Sequence, residues 1–375
     1  MLPYSAPSIN EDDIAAVNAV LRSGWLTTGP EIERFEAAFC EYTGAKYAVA
    51  VSSGTAALHA AMFSLGIGPG DEVIVPALTF VATANAVVYQ GGTPVFADVN
   101  AQTLLINPGS VDRLITNETK AIVAMDYAGQ PARYTALYNV ASDSLNLMAN
   151  LTVRLANSSF QIVGDCCHSL GSRWHGVSAG THAGISCFSL HAIKAITSGE
   201  GGVVTTNNPY QAEAMREFRN HGRRHGFMNE LGYNYRMTDF QAALARSQLC
   251  RLDQFVIRRQ EIAALYDEAF ADVHVTPLTT RSTVDHARHL YVVRARSERE
   301  RDAIRVALQA EKIETAIHYP PVHLQPYYRK TFGTKLGDFP VAEKAATEIL
   351  SLPIFPDMKD DDVGRVIEIV KRAGK

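Results

Sequence analysis

Residues Gly184 to Gly202 read Gly-Ile-Ser-Cys-Phe-Ser-Leu-His-Ala-Ile-Lys-Ala-Ile-Thr-Ser-Gly-Glu-Gly-Gly. An apolar strand ends at Ser189, and a single lysine, Lys194, follows in an apolar setting. Desolvation lowers a lysine pKa and makes the amine a better nucleophile toward an aldehyde. The turn from Thr197 to Gly202 then lets the backbone reverse tightly. A lysine at a strand end is also an ordinary surface residue, so this window needs its neighbours to carry chemistry.

Outward from it, short apolar runs alternate with helical stretches. Tyr47 to Val51 precedes a small-residue helix from Thr55 to Leu65. Glu72 to Val75 precedes a helix from Val81 to Tyr89, and Val95 to Ala97, Ala121 to Met125 and Gln161 to Gly164 continue the series. Val203 to Thr206 reads as a strand, and Asn208-Pro209 opens a helix ending near His221-Gly222. Apolar strands alternating with helices predict an α/β fold, with a mostly parallel central sheet covered by helices on both faces. Ahead of it, Asn10 reads as the N-cap of a helix with Ile14, Val17, Val20 and Leu21 on one face and Gly24 as its stop. A second helix is expected from Pro30, burying Ile32, Phe35 and Phe39. Asn139 to Phe160 reads as a helix with an irregular connection. A long helical region is expected from Thr238 to Phe270. A strand at Leu290 to Val293 and helices around 299–311, 341–350 and 360–373 predict a smaller α+β domain. The division expected is 1–250 for the large domain and 251–375 for the small one.

The balance of 35 Lys plus Arg against 39 Asp plus Glu, net −4 over 375 residues, gives no bulk attraction to nucleic acid or anionic membrane. The opening MLPYSAPSINEDD has neither a basic nor an apolar leader segment, and no apolar run is long enough to span a bilayer. The five cysteines, with Cys166 and Cys167 adjacent, are expected as free thiols in a reducing cytoplasm.

Two further windows bear on chemistry. Gly164-Asp165-Cys166-Cys167-His168 follows an apolar strand, so Asp165 falls at the edge where α/β sheets bind ligands. A carboxylate there can keep a pyridine nitrogen protonated, and a structural aspartate is the competing reading. A metal site is disfavoured, because adjacent side chains on extended backbone point apart. Val51 to Leu58 reads as a hydroxyl-bearing loop opening a helix, which offers amides to a phosphate or is a plain N-cap. Gly66-Ile-Gly-Pro-Gly70 precedes a strand instead of following one, so it is not a dinucleotide fingerprint.

Together these windows resemble a fold-type I pyridoxal-phosphate enzyme, similar to aspartate aminotransferase in fold. Gly24-Trp-Leu-Thr-Thr-Gly-Pro30, Ser52-Ser-Gly-Thr-Ala-Ala-Leu58, Pro76-Ala-Leu-Thr-Phe-Val-Ala-Thr-Ala-Asn85 and Phe188-Ser-Leu-His-Ala-Ile-Lys194 resemble the DegT/DnrJ/EryC1/StrS nucleotide-sugar aminotransferases. Within them, Asp126-Tyr-Ala-Gly-Gln130, His168-Ser-Leu-Gly-Ser172 and Ile317-His-Tyr-Pro320 look most like the C4 transaminases of pseudaminic acid biosynthesis.

The resemblance implies pyridoxal 5'-phosphate (PLP) as cofactor, and L-glutamate and a UDP-linked 4-keto sugar as substrates. It implies that Lys194 carries the cofactor and moves the proton, and that Asp165 partners the pyridine nitrogen. His168 then sits on the ring-hydroxyl side, Phe80 stacks on the ring, and Gly54, Thr55, Ala56 and Ser189 cradle the phosphate. Asn234, in Gly232-Tyr-Asn-Tyr-Arg236, is implied to reach the cofactor phosphate of a second subunit, hence a homodimer. Tyr4, Gly24, Trp25, Leu26, Thr27, Ile317, His318, Tyr319 and Pro320 are implied to line the nucleotide-sugar site, with His323 and Arg236 as nearby candidates.

Two departures stand out. The interval from Asp126 to Asp165 is longer than the family pattern by about a dozen residues around 142–159, and Ala195 replaces a common Asn or Pro. Alternatives are an aminotransferase for a dTDP- or GDP-linked sugar, at C3 or C4, or a non-catalytic regulator on the same fold. A related branch that dehydrates sugars carries histidine at the lysine position, and Lys194 argues against that branch.

Overall fold

The computed structural model describes residues 1–148 and 160–373, with the side chains of 144–148 left aside. The part of the expected 142–159 insertion that spans 149–159 therefore lies outside the described residues.

Helices α1 (Glu11–Ser23) and α2 (Pro30–Thr43) lead into the first strand. Asn10 caps α1 through Asp13, and Gly24 ends it in the left-handed region at φ 77°, which glycine adopts without a Cβ penalty. α1 buries Asp13 and Val20 and leaves Ile14 and Leu21 exposed. The inward position at Asp13 is taken because its carboxylate accepts from Gln248 and pairs with Arg251. Phe35 and Phe39 of α2 are fully buried, as their spacing predicts.

The strands are β1 (Tyr47–Val51), β2 (Glu72–Pro76), β3 (Thr93–Ala97), β4 (Thr119–Met125), β5 (Gln161–Asp165), a short hairpin of β6 (Arg173–Trp174) and β7 (Val177–Ser178), then β8 (Ile185–Ser189) and β9 (Gly202–Thr206). Among the described residues, a seven-stranded sheet runs in the order β1-β9-β8-β5-β4-β2-β3. The β2–β3, β2–β4, β4–β5 and β5–β8 pairs are parallel, while β9 runs antiparallel to both β8 and β1. Period-two alternation decides what each face touches. Val49 and Val51 join one core with α3 (Gly54–Ser64) and α4 (Val81–Tyr89); Ala48 and Ala50 join the other with α2.

The run expected as one helix from Thr238 to Phe270 is two, Asp239–Leu249 and Leu252–Ala269. The break has a packing cause. Arg251 is pinned at the junction by Asp13 and the Ser8 carbonyl. The second helix then begins in the core that holds Phe35 and Phe188, through Leu252 and Phe255, and ends in a separate core through Ile262 and Tyr266. That separate core lies on a three-stranded antiparallel sheet of Thr276–Pro277, Tyr291–Arg294 and Ile349–Leu352. The helix expected at 341–350 is Pro340–Glu348, because Ile349 onward pairs with Tyr291–Arg294. Leu2 packs into this core, so both chain ends contribute to it. No helix of the described residues is long and apolar enough to cross a membrane.

The turn after β8 returns as β9 directly alongside it, and Gly202 starts that strand against the loop before α3. A Cβ on Gly202 would fall on the Ser53 carbonyl group and lie 2.9 Å from the Gly54 nitrogen. Neither contact is the end of a flexible side chain, so backbone must move. Gly202→Ala is expected to cost about 1–3 kcal/mol, the usual range for an overpacked interior. Urea unfolding of the purified variant checks this, and an unchanged midpoint would refute the close-approach argument.

Candidate active site

A cavity of about 400 Å³ opens at the C-terminal ends of the parallel strands, the edge where open α/β sheets hold ligands. Each wall comes from the end of a different element. β5 ends in Asp165 and β8 ends in Ser189. The turn between β8 and β9 supplies Lys194, α3 begins with Gly54 and Thr55, and Phe80 is the residue before α4. Tyr4, His318 and Tyr319 close it from the other side.

Lys194 is partly buried. Desolvation in the cavity lowers its pKa, against the opposing pull of Cys167 and Asp165. Asp165 is buried at 2% exposure and accepts from Thr83 Oγ1 at 2.7 Å and from the Cys167 N–H at 3.3 Å. Cys166 and Cys167 do point apart: Cys166 Sγ lies 3.3 Å from Asp126 Oδ2, whereas Cys167 lines the cavity. His168 Nε2 is 2.9 Å from the Tyr319 hydroxyl, and its Nδ1 is buried with no partner among the described residues. Burial, then the nearby Lys194, holds His168 well below the ordinary histidine range, so it is neutral. Burial pushes the Tyr319 phenol well up. Burial and then Lys194 bring His318 down to about 4.

The opening of α3 is built for an anion. Ser53 Oγ accepts the Ala56 N–H at 3.0 Å and the Ser53 carbonyl accepts that of Ala57. The Gly54 and Thr55 amides, the first of the helix, have no acceptor inside it. A Cβ on Gly54 would lie 2.8 Å from Ser189 Cβ, so this loop is held against the end of β8. A desolvated lysine, a carboxylate across the cavity and two free helix amides fit an aldehyde-bearing phosphate cofactor with a basic ring nitrogen.

The model of the DegT/DnrJ/EryC1/StrS aminotransferase family matches residues 7–371. The chain belongs to that family. Among solved structures it is similar to Spr1654 of Streptococcus pneumoniae, described as a sugar aminotransferase and solved in a PLP form. Identity is 33%, the TM-score is 0.94, and the match covers 100% of this chain and 98% of that one. It is similar to TlmJ, an aminotransferase from Streptoalloteichus hindustanus, at 31% identity and a TM-score of 0.90, covering 100% and 98%. It is similar to PseC of Helicobacter pylori, an aminotransferase involved in the biosynthesis of pseudoaminic acid. There identity is 31% and the TM-score 0.89, covering 99% and 98%. This DegT-family protein is accordingly a PLP-dependent sugar aminotransferase.

Of the residues singled out in the sequence, Tyr4, Gly54, Thr55, Phe80, Asp165, His168, Ser189, Lys194, His318 and Tyr319 meet in the cavity. Ala56 does not line it, its N–H being taken by Ser53. Ile317 and Pro320 flank the lining pair without lining it themselves. Gly24, Trp25, Leu26, Thr27 and Asn234 are exposed on the outer surface of the same chain, away from this cavity. Arg236 donates to Asn220 at 2.8 Å, beside the Asn220–Asn234 bridge. His323 is fully buried, 2.9 Å from Glu343 and edge-on to Phe339, and does not reach the cavity. Sequence reasoning missed Ser53, Cys167, His191, Glu200 and Thr83. His191 and Glu200 sit 3.8 Å apart and line the cavity, and both stood inside the Gly184–Gly202 window. Thr83 carried no local signal, because its partner is 82 residues away.

The segment bearing Asn234 is anchored by a buried histidine. His59 Nδ1 is 3.1 Å from the Tyr235 hydroxyl, Nε2 is 2.8 Å from Gln90 Nε2, and the Tyr233 and Phe218 rings pack on it at 5.0 Å. Burial lowers its pKa from 6.5 to about 4. The unfolded chain therefore takes up a proton in that interval that the folded chain refuses, and stability falls as pH drops from about 6.5 to about 4. Urea unfolding across that window should show a shallower pH slope in His59→Gln. An identical slope would show that His59 titrates as in the unfolded chain.

Proposed function

We propose that this enzyme moves an amino group from L-glutamate to the C4 keto group of a UDP-linked 4-keto-6-deoxy-N-acetylhexosamine, as in pseudaminic acid biosynthesis. The observation that carries the reading is one cavity holding a desolvated Lys194 amine, the Asp165 carboxylate and the free amides opening α3. The likeness to PseC over 99% of the chain supports the choice of sugar. A second reading keeps the chemistry and changes the sugar to a dTDP- or GDP-linked one, since Spr1654 is described only as a sugar aminotransferase, with no nucleotide specified.

In this reading PLP supplies the electron sink and carries the amino group between two half-reactions. Lys194 would hold the cofactor, and its neutral amine would take the proton from the donor α-carbon and return one to the sugar C4 in the second half. A lowered lysine pKa suits that duty, since the free amine is the working form. Asp165 would hold the ring nitrogen through a charge-assisted bond. Gly54, Thr55 and Ser189 would hold the phosphate, Phe80 would cover one ring face, and His168 with Tyr319 would stand on the ring-hydroxyl side. Tyr4 and His318 border the space left for donor and sugar in turn, which requires ping-pong kinetics.

A homodimer belongs to the same proposal. Trp25, Leu26, Ile14 and Leu21 are exposed, and so are Phe227, Met228 and Leu231 around the Phe227–Met228 hairpin. A second copy covering these apolar side chains would bring Asn234 and Gly24 to Thr27 to its partner's cavity.

Purified protein offered UDP-, dTDP- and GDP-4-keto sugars with glutamate is expected to aminate the UDP sugar at C4, read by NMR of the product; preference for another nucleotide selects the second reading. Borohydride reduction of the holoenzyme should fix the cofactor to Lys194 in the peptide map, and label on another lysine refutes the assignment. Asp165→Asn should slow turnover by orders of magnitude, more than it weakens cofactor binding. Mixing Lys194→Ala with Asn234→Ala should restore up to about half the activity per mixed dimer, since two-fold symmetry leaves one site intact. No recovery despite subunit exchange would place Asn234 in its own subunit's service.

A further inference from the structure

Asp165 does not stand alone in the wall of the cavity. Thr83 lies in the first turn of α4, 82 residues earlier in the chain, and donates to Asp165 Oδ2 across 2.7 Å. Thr83 is 0% exposed and Asp165 is 2% exposed. Thr83 Oγ1 is also 2.7 Å from Thr79 Oγ1, and Thr79 Oγ1 is 3.0 Å from Met125 Sδ. Thr79 is buried as well.

The direction of this chain follows from proton counting. An ionised carboxylate only accepts, and a hydroxyl has one proton. Thr83 spends its proton on Asp165 and must accept from Thr79. The Thr79 proton then points at Thr83, and the Met125 sulfur is a weak competing acceptor. Each hydroxyl is thereby set to push hydrogen-bond density toward the carboxylate, in a dry environment where such bonds are strong. The 2.7 Å separation falls within the range expected for a hydroxyl on a charged oxygen. Threonine suits the duty. Its branched Cβ restricts χ1 on a helix, so the hydroxyl is presented in few directions. In a helix that hydroxyl commonly bonds back to the preceding turn; here it meets the Thr79 hydroxyl there and also reaches Asp165 at the end of β5.

We propose that Thr83, backed by Thr79, is a positioning residue that fixes the rotation of the Asp165 carboxylate for its bond to the cofactor's ring nitrogen. The proposal rests on the reading of Asp165 as the partner of that nitrogen. Without the Thr83 bond, the carboxylate keeps the longer bond from the Cys167 N–H and the contact with the Cys167 thiol. The effect of losing Thr83 must therefore pass through Asp165, which separates it from a simple packing role.

The test uses holoenzyme carrying Thr83→Val, which keeps the shape and removes the hydroxyl, with Thr83→Ser, which keeps the hydroxyl, and Thr83→Ala in case valine disturbs folding. Two quantities are read: the rate of cofactor release, followed by absorbance, and the single-turnover rate of the glutamate half-reaction. Thr83→Val and Thr83→Ala should release cofactor several-fold faster and slow the half-reaction roughly ten- to hundred-fold, the range for one hydrogen bond to a charged group. Thr83→Ser should stay within about threefold of the parent, because the donor is retained. In an Asp165→Ala background, Thr83→Val should add nothing to either quantity, since coupled residues are not additive. Full additivity there, or a change confined to the unfolding midpoint, would overturn the proposal. Near-normal turnover in Asp165→Asn would instead sink the reading of Asp165, whatever Thr83 does.

Discussion

Three backbones meet at the C-terminal edge of the sheet more closely than side chains allow. Gly54 sits against Ser189, and Gly202 sits against the Ser53 carbonyl. Fixing these contacts places the start of α3, the end of β8 and the start of β9 in one corner. The turn between β8 and β9 has to leave from that corner and return to it, and Lys194 is on that turn. Asp165, on the parallel neighbour of β8, ends its strand at the same level, paired with Cys187 in register. The lysine and the carboxylate thus share a cavity because glycine permits the backbones above it to touch.

The cavity is electrostatically economical. The Asp165 carboxylate is met by donors from two directions, Thr83 and the Cys167 amide. Two of the cavity's histidines are shifted down by burial and by Lys194, His168 well below the ordinary range and His318 to about 4. Lys194 is itself shifted downward by desolvation. The result is a site in which hydrogen-bond direction, more than accumulated charge, orients what binds. Asp126, buried behind it, follows the same logic: desolvation raises its pKa to about 6, and its carboxylate accepts from Ser169, Tyr134, Cys166 and the Ala132 amide.

Packing also explains why the long helical region is broken. The Asp13–Arg251 pair ties the junction to α1, so the chain turns there and the following helix bridges two cores. Tyr319, packed against the core of α3 and α4, meets His168 at 2.9 Å in the cavity wall.

Local pattern determined a great deal. Period-two and period-3.6 hydrophobicity located β1 to β5, α3 and α4 within a residue or two, because strand and helix burial repeat over short distances. Asn10, Gly24 and Pro30 announced their helix ends through capping chemistry that involves only neighbours. Asp165 and Ser189 end readable strands and Gly54 opens a readable helix, so their shared edge was legible, whereas Lys194 sits on the turn beyond Ser189 and drew its expected role from the family resemblance. Only the tertiary structure decided that Thr83 serves Asp165, that His59 anchors the Asn234 segment and that His323 turns inward to Glu343. It also decided that Ala56 spends its amide on Ser53, and that Gly24 to Thr27 and Asn234 stand outside the cavity of their own chain. These facts join residues far apart in sequence. Their partners are chosen by strand order and by which faces of the helices are buried, and no local periodicity carries that information.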